Sequence, residues 1–281
     1  MTGPFDLHLH TNASDGALSP EDVVRAAARL GLKAIAITDH DSTAGVQRAQ
    51  TEGWRLGLPV ISGAEFSAAF DGELHILGYG LDLHSGAYLD FQAGQQRRRE
   101  ERNGRMLAAL RSLGIYLPAE FLPPSAPGVY GRVHMARGMV AAGYVSTMDE
   151  AFRRYLGYGR SAYVARRRFE SSEIIASIMQ SGGQAVLAHP GRMGLQQSEM
   201  AALIARLRGQ GLAGIEAFYP THTDDEVVFY TGLAADMGLV CTYGSDCHGR
   251  SGEMVAQAFG RFSITPATYA WLDVLVRGCE A

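Results

Sequence analysis

Two histidines stand two residues apart near the start of the chain, in the run Asp6-Leu7-His8-Leu9-His10. On an extended strand successive side chains alternate between faces, so both imidazoles share one face while Leu7 and Leu9 occupy the other. Imidazoles paired in this way form a ready chelate for a divalent metal. Alone the pair is weak evidence, because two histidines can also be accommodated in a core. The recurrence of ligand-type residues at later strand ends changes its weight. Asp15 follows the first predicted strand, His40 the second, and Glu65 ends the third. His75 lies in the hairpin partner of that strand, His189 follows Ala185-Val186-Leu187-Ala188, and Asp246 with His248 follows the last strand. Six histidines and three carboxylates exceed the three or four protein ligands of one ion, and a carboxylate can bridge two, so the set implies two or three metals. Mixed imidazole and carboxylate donors fit Mn²⁺, Zn²⁺ or Fe²⁺ alike and argue against an all-oxygen Ca²⁺ site or a Cys-rich structural zinc site. Cys247 lies between two of these residues, and strand alternation turns it inward to packing rather than toward a metal.

The elements that must position these residues follow an alternation of strand-length apolar runs and helix-length amphipathic segments, which is the signature of βα units around a parallel sheet. The expected class is α/β. Strands are predicted at Phe5–His10, Lys33–Thr38, Pro59–Ser67, His75–Tyr79, Gln184–Ala188, Gly214–Tyr219 and Leu239–Gly244. Ser19-Pro20-Glu21-Asp22 opens a helix with a capping serine, a proline at the first helical position and acids in the first turn. Asp71-Gly72 reads as a hairpin turn, making the strands on either side antiparallel. If the strands close into a barrel, their ends converge on one face, where the active sites of such barrels lie. The rhythm breaks between about Gly86 and Arg168, where an Arg-rich helix, a Pro-rich loop at Pro118–Pro127 and further helical segments look inserted. The expected division is a barrel of residues 1–98 and 168–281 with an inserted helical, substrate-binding subdomain at 99–167.

Composition narrows the class. Apolar residues make up 47% and charged residues 19% of the 281, which excludes a disordered or fibrous chain. No apolar stretch approaches a membrane span, and the N-terminus lacks a basic segment followed by an apolar core, so a cytoplasmic location is the default expectation. Three cysteines are too few for a disulfide framework and have no CxxC spacing. A net charge of −4 leaves no global basic field for nucleic acid. The cations are nonetheless uneven, clustering at Arg97, Arg98, Arg99, Arg102 and Arg105 and again at Arg153, Arg154, Arg160, Arg166, Arg167 and Arg168. The first cluster is expected to be a solvated helix face and His84 a structural residue. No obligate protein partner is evident.

The segments Asp6-Leu7-His8-Leu9-His10-Thr11-Asn12-Ala13-Ser14-Asp15-Gly16, Thr38-Asp39-His40-Asp41, Gly63-Ala64-Glu65-Phe66-Ser67, Ala188-His189-Pro190 and Gly244-Ser245-Asp246-Cys247-His248-Gly249 together resemble the motif set of the PHP (polymerase and histidinol phosphatase) family. That resemblance implies a distorted seven-stranded (β/α) barrel with a di- or trinuclear metal centre that hydrolyses phosphate esters. It implies one metal on His8, His10, Glu65 and Asp246, a second on Glu65, His75 and His189, and a third on Asp15, His40 and His248, with Glu65 bridging. Gly131-Arg132-Val133-His134, Gly157-Tyr158-Gly159-Arg160 and the run Gly214 to Thr223 further resemble the branch of 3′,5′-nucleotide bisphosphate phosphatases, which includes a 5′→3′ exoribonuclease. Val133, Thr11 and Cys247 depart from common choices in that branch and touch no proposed ligand.

A hydroxide bridging two metals would attack phosphorus in line, so no serine or cysteine nucleophile is needed. Arg132 and Arg160 are the expected clamp on phosphate oxygens. His134 would orient a phosphate or protonate the leaving ribose oxygen, and His222, after a strand end, would face the same mouth. The expected substrate is a small nucleotide, a nucleoside 3′,5′-bisphosphate, together with short 5′-phosphorylated RNA. Histidinol phosphate hydrolysis and a non-catalytic metal-binding or nucleic-acid-binding module remain the alternatives.

Overall fold

The computed structural model describes residues 3–117, 131–165, 167–249 and 265–279. The Pro118–Pro127 loop and Arg166 lie outside them. Seven strands form one sheet in chain order: β1 (Phe5–Leu9), β2 (Ala34–Ile37), β3 (Val60–Ser67), β4 (His75–Tyr79), β5 (Gln184–Leu187), β6 (Gly214–Phe218) and β7 (Val240–Tyr243). The first three are parallel, β4 runs against both β3 and β5, and β5 to β7 are again parallel. The segment after β7 then returns to β1, where the Asp246 amide donates to the His8 carbonyl at 2.9 Å and the His10 amide to the Cys247 carbonyl at 3.0 Å. The sheet is thus a nearly closed α/β barrel.

The reversed strand matters for the site. Because β4 runs backwards, its first residue, His75, pairs with Ser67 at the end of β3 and so sits where the parallel strands finish. The hairpin expected at Asp71-Gly72 is present but wider than a two-residue turn: the Ala68 amide donates to the Leu74 carbonyl at 2.9 Å, and Gly72 takes φ +125°.

Local signals set the helices that flank the barrel. The Ser19 hydroxyl accepts the Asp22 amide at 3.1 Å and starts α1 (Pro20–Arg29). α2 (Val46–Leu56) stops at Gly57, whose φ of +66° is the left-handed conformation a glycine supplies without a Cβ clash. Leu9, Ile35, Ile37 and Val60 from the strands pack with Val23, Val24 and Ala27 of α1 and Val46 and Ala49 of α2. Full burial of each larger side chain contributes about 1.5–3 kcal/mol. Cys247 belongs to this apolar layer, as its alternation with Asp246 and His248 requires.

α3 (Gly86–Ser112), α4 (Arg132–Ala141) and α5 (Met148–Ala151) follow, then a π turn (Phe152–Leu156), α6 (Ser171–Gln180), α7 (Gln197–Gly209), α8 (Asp224–Met237) and α9 (Pro266–Cys279). The chain divides into two compact units, Met1–Leu89 with Phe169–Ala281, and Asp90–Arg168. The second has its own core around Met106, Leu110, Met135, Met139 and Leu156. Two expectations fail here. Arg102 is no part of a solvated face: it is buried, and its Nε donates to the Val164 carbonyl at 2.9 Å, a contact no charge pattern reveals. The His84 side chain is exposed rather than packed, while its amide donates to Asp82 Oδ1 at 2.9 Å in the loop after β4. Among the described residues no helix is long and apolar enough to cross a membrane.

Candidate metal centre

All nine ligand-type residues singled out from the sequence lie in the barrel unit at the same strand ends, and the donor atoms of eight of them form three overlapping groups. His8, His10, Glu65 and Asp246 make one, His40, Glu65 and His75 a second, and His10, Asp15, His40 and His248 a third; within each, one donor atom per residue lies within 4.8 Å of the others. His189 joins the second, its Nε2 2.8 Å from Glu65 Oε1 and 3.3 Å from His75 Nδ1. Glu65 is the hub: Oε1 faces His75 at 2.7 Å, while Oε2 faces His40 at 2.9 Å, His10 at 3.4 Å and His8 at 3.5 Å.

The fit to metal ions can be judged from what these atoms do not do. His8 Nε2, His10 Nε2, His40 Nδ1 and Glu65 Oε2 are buried and have no hydrogen-bond partner. Their separations of 2.9–3.5 Å are within hydrogen-bond reach, yet they make no hydrogen bond with one another. Buried polar atoms left this way cost about 1–3 kcal/mol each. A divalent cation among them supplies the missing partner for several at once, and imidazole with carboxylate oxygen is a suitable donor set.

Electrostatics points the same way. Burial alone would push the Glu65 carboxyl up, but His8 and the imidazoles of His189, His40 and His75 that face it hold it well below the usual range. Burial pulls His8 down, and the carboxylates of Glu216, Glu65 and Asp246 override it, raising the imidazole well above its ordinary value. His40, likewise desolvated but facing Glu65 and Asp15, rises to about 9. Asp15 falls to about 2: partial burial raises it, and His248, His40 and His10 more than offset this. His10 is the exception, lowered by burial and by neighbouring His8 and His40.

A supporting layer fixes these side chains. Glu216, on β6 and fully buried, was not marked by the sequence reading. Its Oε1 accepts from His8 Nδ1 at 3.0 Å, which leaves Nε2 of His8 facing the cage, and its Oε2 accepts the His189 amide at 2.8 Å. Holding an imidazole through its far nitrogen orients a ligand and raises its basicity. Asp39 accepts the amide and hydroxyl of Thr11, both at 2.7 Å, and so ties down the loop that carries Asp15. Among the described residues only three non-glycines have positive φ, Asp41 at +49°, His189 at +26° and Asp246 at +56°. All three lie at this end of the barrel. Each strained amide is held by a ligand or its support: Asp41 by the Glu65 carbonyl, His189 by Glu216, and Asp246 by the His8 carbonyl. Left-handed backbone costs about 1–2 kcal/mol per residue, and such strain gathers at functional sites.

Arg192 and Tyr219 were also missed. Arg192 Nη1 and Tyr219 Oη both donate to Asp246 Oδ2 at 2.9 Å, on the oxygen turned away from His10, which faces Oδ1 at 3.0 Å. His222 requires a correction. Expected to face the mouth and contact phosphate, it is only 2% exposed, and both ring nitrogens are occupied. Its Nε2 accepts the Gly191 amide at 3.1 Å, which makes Nδ1 the donor to the Ala217 carbonyl at 2.9 Å. Its position after a strand end was read correctly, but the ring folds under the turn after His189.

The other candidates for substrate contact lie in the Asp90–Arg168 unit. Arg132 is half-buried with its guanidinium 5.7 Å from the Tyr163 ring centre and 5.9 Å from that of Phe152. Arg160 is exposed, following Gly159 at φ +69°. His134 Nδ1 accepts the Gly131 amide at 3.2 Å, and burial with nearby Arg137 and Arg99 lowers its pKa.

Comparison with known proteins agrees with this architecture. The family model of the PHP domain matches residues 6–164. Over 250 residues the chain is 36% identical to the 5′-3′ exoribonuclease Rnm of Salmonella typhimurium, covering 87% of this chain and 85% of that protein. It is 33% identical over 247 residues to the 3′,5′-nucleoside bisphosphate phosphatase of Chromobacterium violaceum, covering 87% of each. A solved structure of an amidohydrolase from Chromobacterium violaceum, with bound sulfate and no metal, matches with a TM-score of 0.75 at 31% identity over 97% of both chains. From the match of domain and relatives along most of its length, the chain belongs to the PHP domain family.

Proposed function

We propose that this phosphoric ester hydrolase removes the 3′-phosphate of nucleoside 3′,5′-bisphosphates and also trims short 5′-phosphorylated oligoribonucleotides from the 5′ end. The observation that carries the reading is the convergence of nine imidazole and carboxylate side chains, eight of them in three overlapping donor groups and His189 against Glu65, with four of the donor atoms buried and without a hydrogen-bond partner. In this reading His8, His10, Glu65 and Asp246 hold one ion, Glu65, His75 and His189 a second, and Asp15, His40 and His248 a third, with Mn²⁺ the leading candidate. Divalent ions held there supply Lewis acidity toward phosphoryl oxygens and lower the pKa of water toward neutrality.

The chain's own residues do the rest. Glu65 would be shared between bound ions, and Glu216 keeps His8 in the tautomer that presents Nε2. Arg132 and Arg160 recognise phosphate, Arg132 with its planar guanidinium held by the rings of Tyr163 and Phe152. His134, whose Nδ1 accepts a backbone amide, carries its proton on Nε2 and serves better as a neutral donor to a phosphate oxygen than as an acid. Hydrolysis breaks the bond between phosphorus and the ribose 3′ oxygen, adds the water oxygen to phosphorus and returns a proton to the departing hydroxyl. A 3′-monoester and a 3′,5′-diester place phosphorus at the same sugar position, so one cleft serves both substrates. Support for the longer substrate comes from charge: Asp90–Arg168 contains fourteen arginines against six acidic residues, a net +8 in a chain of net −4. Such a stretch attracts a polyanion.

The test incubates Mn²⁺-loaded protein with adenosine 3′,5′-bisphosphate, adenosine 3′-monophosphate, histidinol phosphate and a short 5′-phosphorylated RNA. AMP and phosphate are expected from the bisphosphate, with loss of both in His8→Ala. Both proposed substrates share a 5′-phosphate, which this reading takes as the recognised group; equal rates on the 3′-monophosphate would remove that role, and turnover of histidinol phosphate alone would overturn the substrate assignment.

A further inference from the structure

Arg192 occupies a position that holding Asp246 does not fully explain. It lies in a 3-10 turn, Pro190–Met193, that begins directly after His189. The turn is braced from two sides. Glu216 holds the His189 amide at 2.8 Å, and His222 accepts the Gly191 amide at 3.1 Å. A Cβ at position 191 would lie 2.7 Å from His222 Cδ2, so only glycine lets the backbone pass this close to the buried ring. The next residue is thereby delivered to a defined place beside the cage.

The side chain itself remains 44% exposed, with Nη1 2.9 Å from Asp246 Oδ2 and Nη2 3.6 Å from Glu73 Oε2. Neither carboxylate depends on it. Asp246 Oδ2 also accepts from Tyr219 Oη at 2.9 Å, and Glu73 is 47% exposed and can be hydrated. Arg192 Nη1 also lies 3.3 Å from Tyr219 Oη; a guanidinium presents five donors, and these three contacts leave some of them for another acceptor. It can turn toward an incoming anion without leaving a buried carboxylate orphaned.

On the phosphoesterase reading above, we infer that Arg192 is a catalytic residue that donates to a non-bridging oxygen of the phosphoryl group at the metal centre. It transfers no proton; it stabilises charge that accumulates on that oxygen as phosphorus is attacked, from a scaffold already in place. This assigns a phosphoryl-group donor to the barrel unit itself, separate from the arginines of the 90–168 unit.

Arg192→Gln and Arg192→Lys separate this role from that of a strut for Asp246. Three quantities are measured on each: Mn²⁺ content after reconstitution, the affinity of the Mn²⁺-loaded protein for inorganic phosphate by calorimetry, and kcat and KM on adenosine 3′,5′-bisphosphate. The expected result for Arg192→Gln is unchanged metal content, phosphate binding weakened about 10- to 100-fold and kcat/KM reduced about 10²- to 10³-fold. Arg192→Lys keeps the charge without the planar fork and is expected to fall between, which also covers failure of the glutamine variant to fold. Phosphate affinity unchanged in the lysine variant and in any folded glutamine variant, or metal lost in step with activity, would overturn the inference. If the wild-type protein turns over no phosphate ester, the proposed function fails, and the phosphate titration still decides the role of Arg192.

Discussion

Replacing Glu216 tests how the centre is held together, because its two oxygens serve two different donors. One accepts from His8 Nδ1 at 3.0 Å and the other from the His189 amide at 2.8 Å, with no exposure of the side chain to water. Glutamine is nearly the same size but keeps one acceptor oxygen; at the place of Oε2 that oxygen reaches both His189 N at 2.8 Å and His8 Nδ1 at 3.2 Å, yet the 3.0 Å contact of Oε1 is lost and an NH₂ is set against the ring of His8. Leaving one buried donor unmade costs about 1–3 kcal/mol; alanine orphans both and should cost about 2–6 kcal/mol. A domain of this size loses about 2–4 °C of melting temperature per kcal/mol. Metal affinity should fall about 10- to 100-fold, the usual effect of removing a support behind a ligand. Thermal melts of metal-free protein give the first quantity and Mn²⁺ titration with a competing chelator the second. Activity of Glu216→Gln should return at high Mn²⁺, which general misfolding would not allow. A glutamine variant as stable and as tightly metal-binding as the wild type would refute the reasoning.

Further predictions concern backbone, protons and the Asp246 anchor. Gly244→Ala should destabilise by at least about 1–3 kcal/mol, because a Cβ there collides with Glu216 Oε1 and His8 Cβ inside the barrel; an unchanged melting curve would contradict the packing described. In the metal-free protein His40 has a folded pKa raised to about 9. Its protonated form therefore contributes stability that is fully present below about pH 6.5, the ordinary histidine value, and is lost as pH rises through about 9. Metal binding runs the other way, displacing that proton, so Mn²⁺ affinity should rise with pH over the same window and calorimetry in different buffers should register proton release. Tyr219→Phe removes the buried donor to Asp246 Oδ2 and leaves only the 44% exposed Arg192 to hold it, so Mn²⁺ affinity should fall while phosphate affinity at saturating metal is unchanged.

The ligand set was legible because each member occupies the same topological place, a strand end in a chain whose apolar periodicity reveals the strands. His8 and His10 could be assigned to one face from alternation alone, and His75 from its place in the hairpin partner of β3. Glu216 left a fainter signal, a carboxylate between Ile215 and Ala217 in an otherwise apolar strand, which needs a buried partner to be tolerated. Its partner, His8, is at the other end of the chain, and no periodicity connects them. Arg192 and Tyr219 gave no signal of their own, because the contact that draws attention to them is with Asp246, which the fold brings to them. His222 shows the converse error: its place after β6 was right, but backbone position does not determine which way a side chain turns. Arg102 was misread for a related reason, since a run of arginines suggests a wet helix face until a buried carbonyl such as that of Val164 claims one of them.

The central claim is that the nine-residue cage binds divalent ions and that those ions are required for phosphate-ester hydrolysis. The most direct measurement titrates metal-free protein with Mn²⁺ while following bound metal and release of phosphate from adenosine 3′,5′-bisphosphate in the same samples, alongside Glu65→Ala. The account predicts about two to three ions bound per chain, activity that rises as they fill, and loss of both in the variant that removes the shared carboxylate. Full turnover by metal-free protein, or Mn²⁺ binding untouched by removal of Glu65, would contradict it.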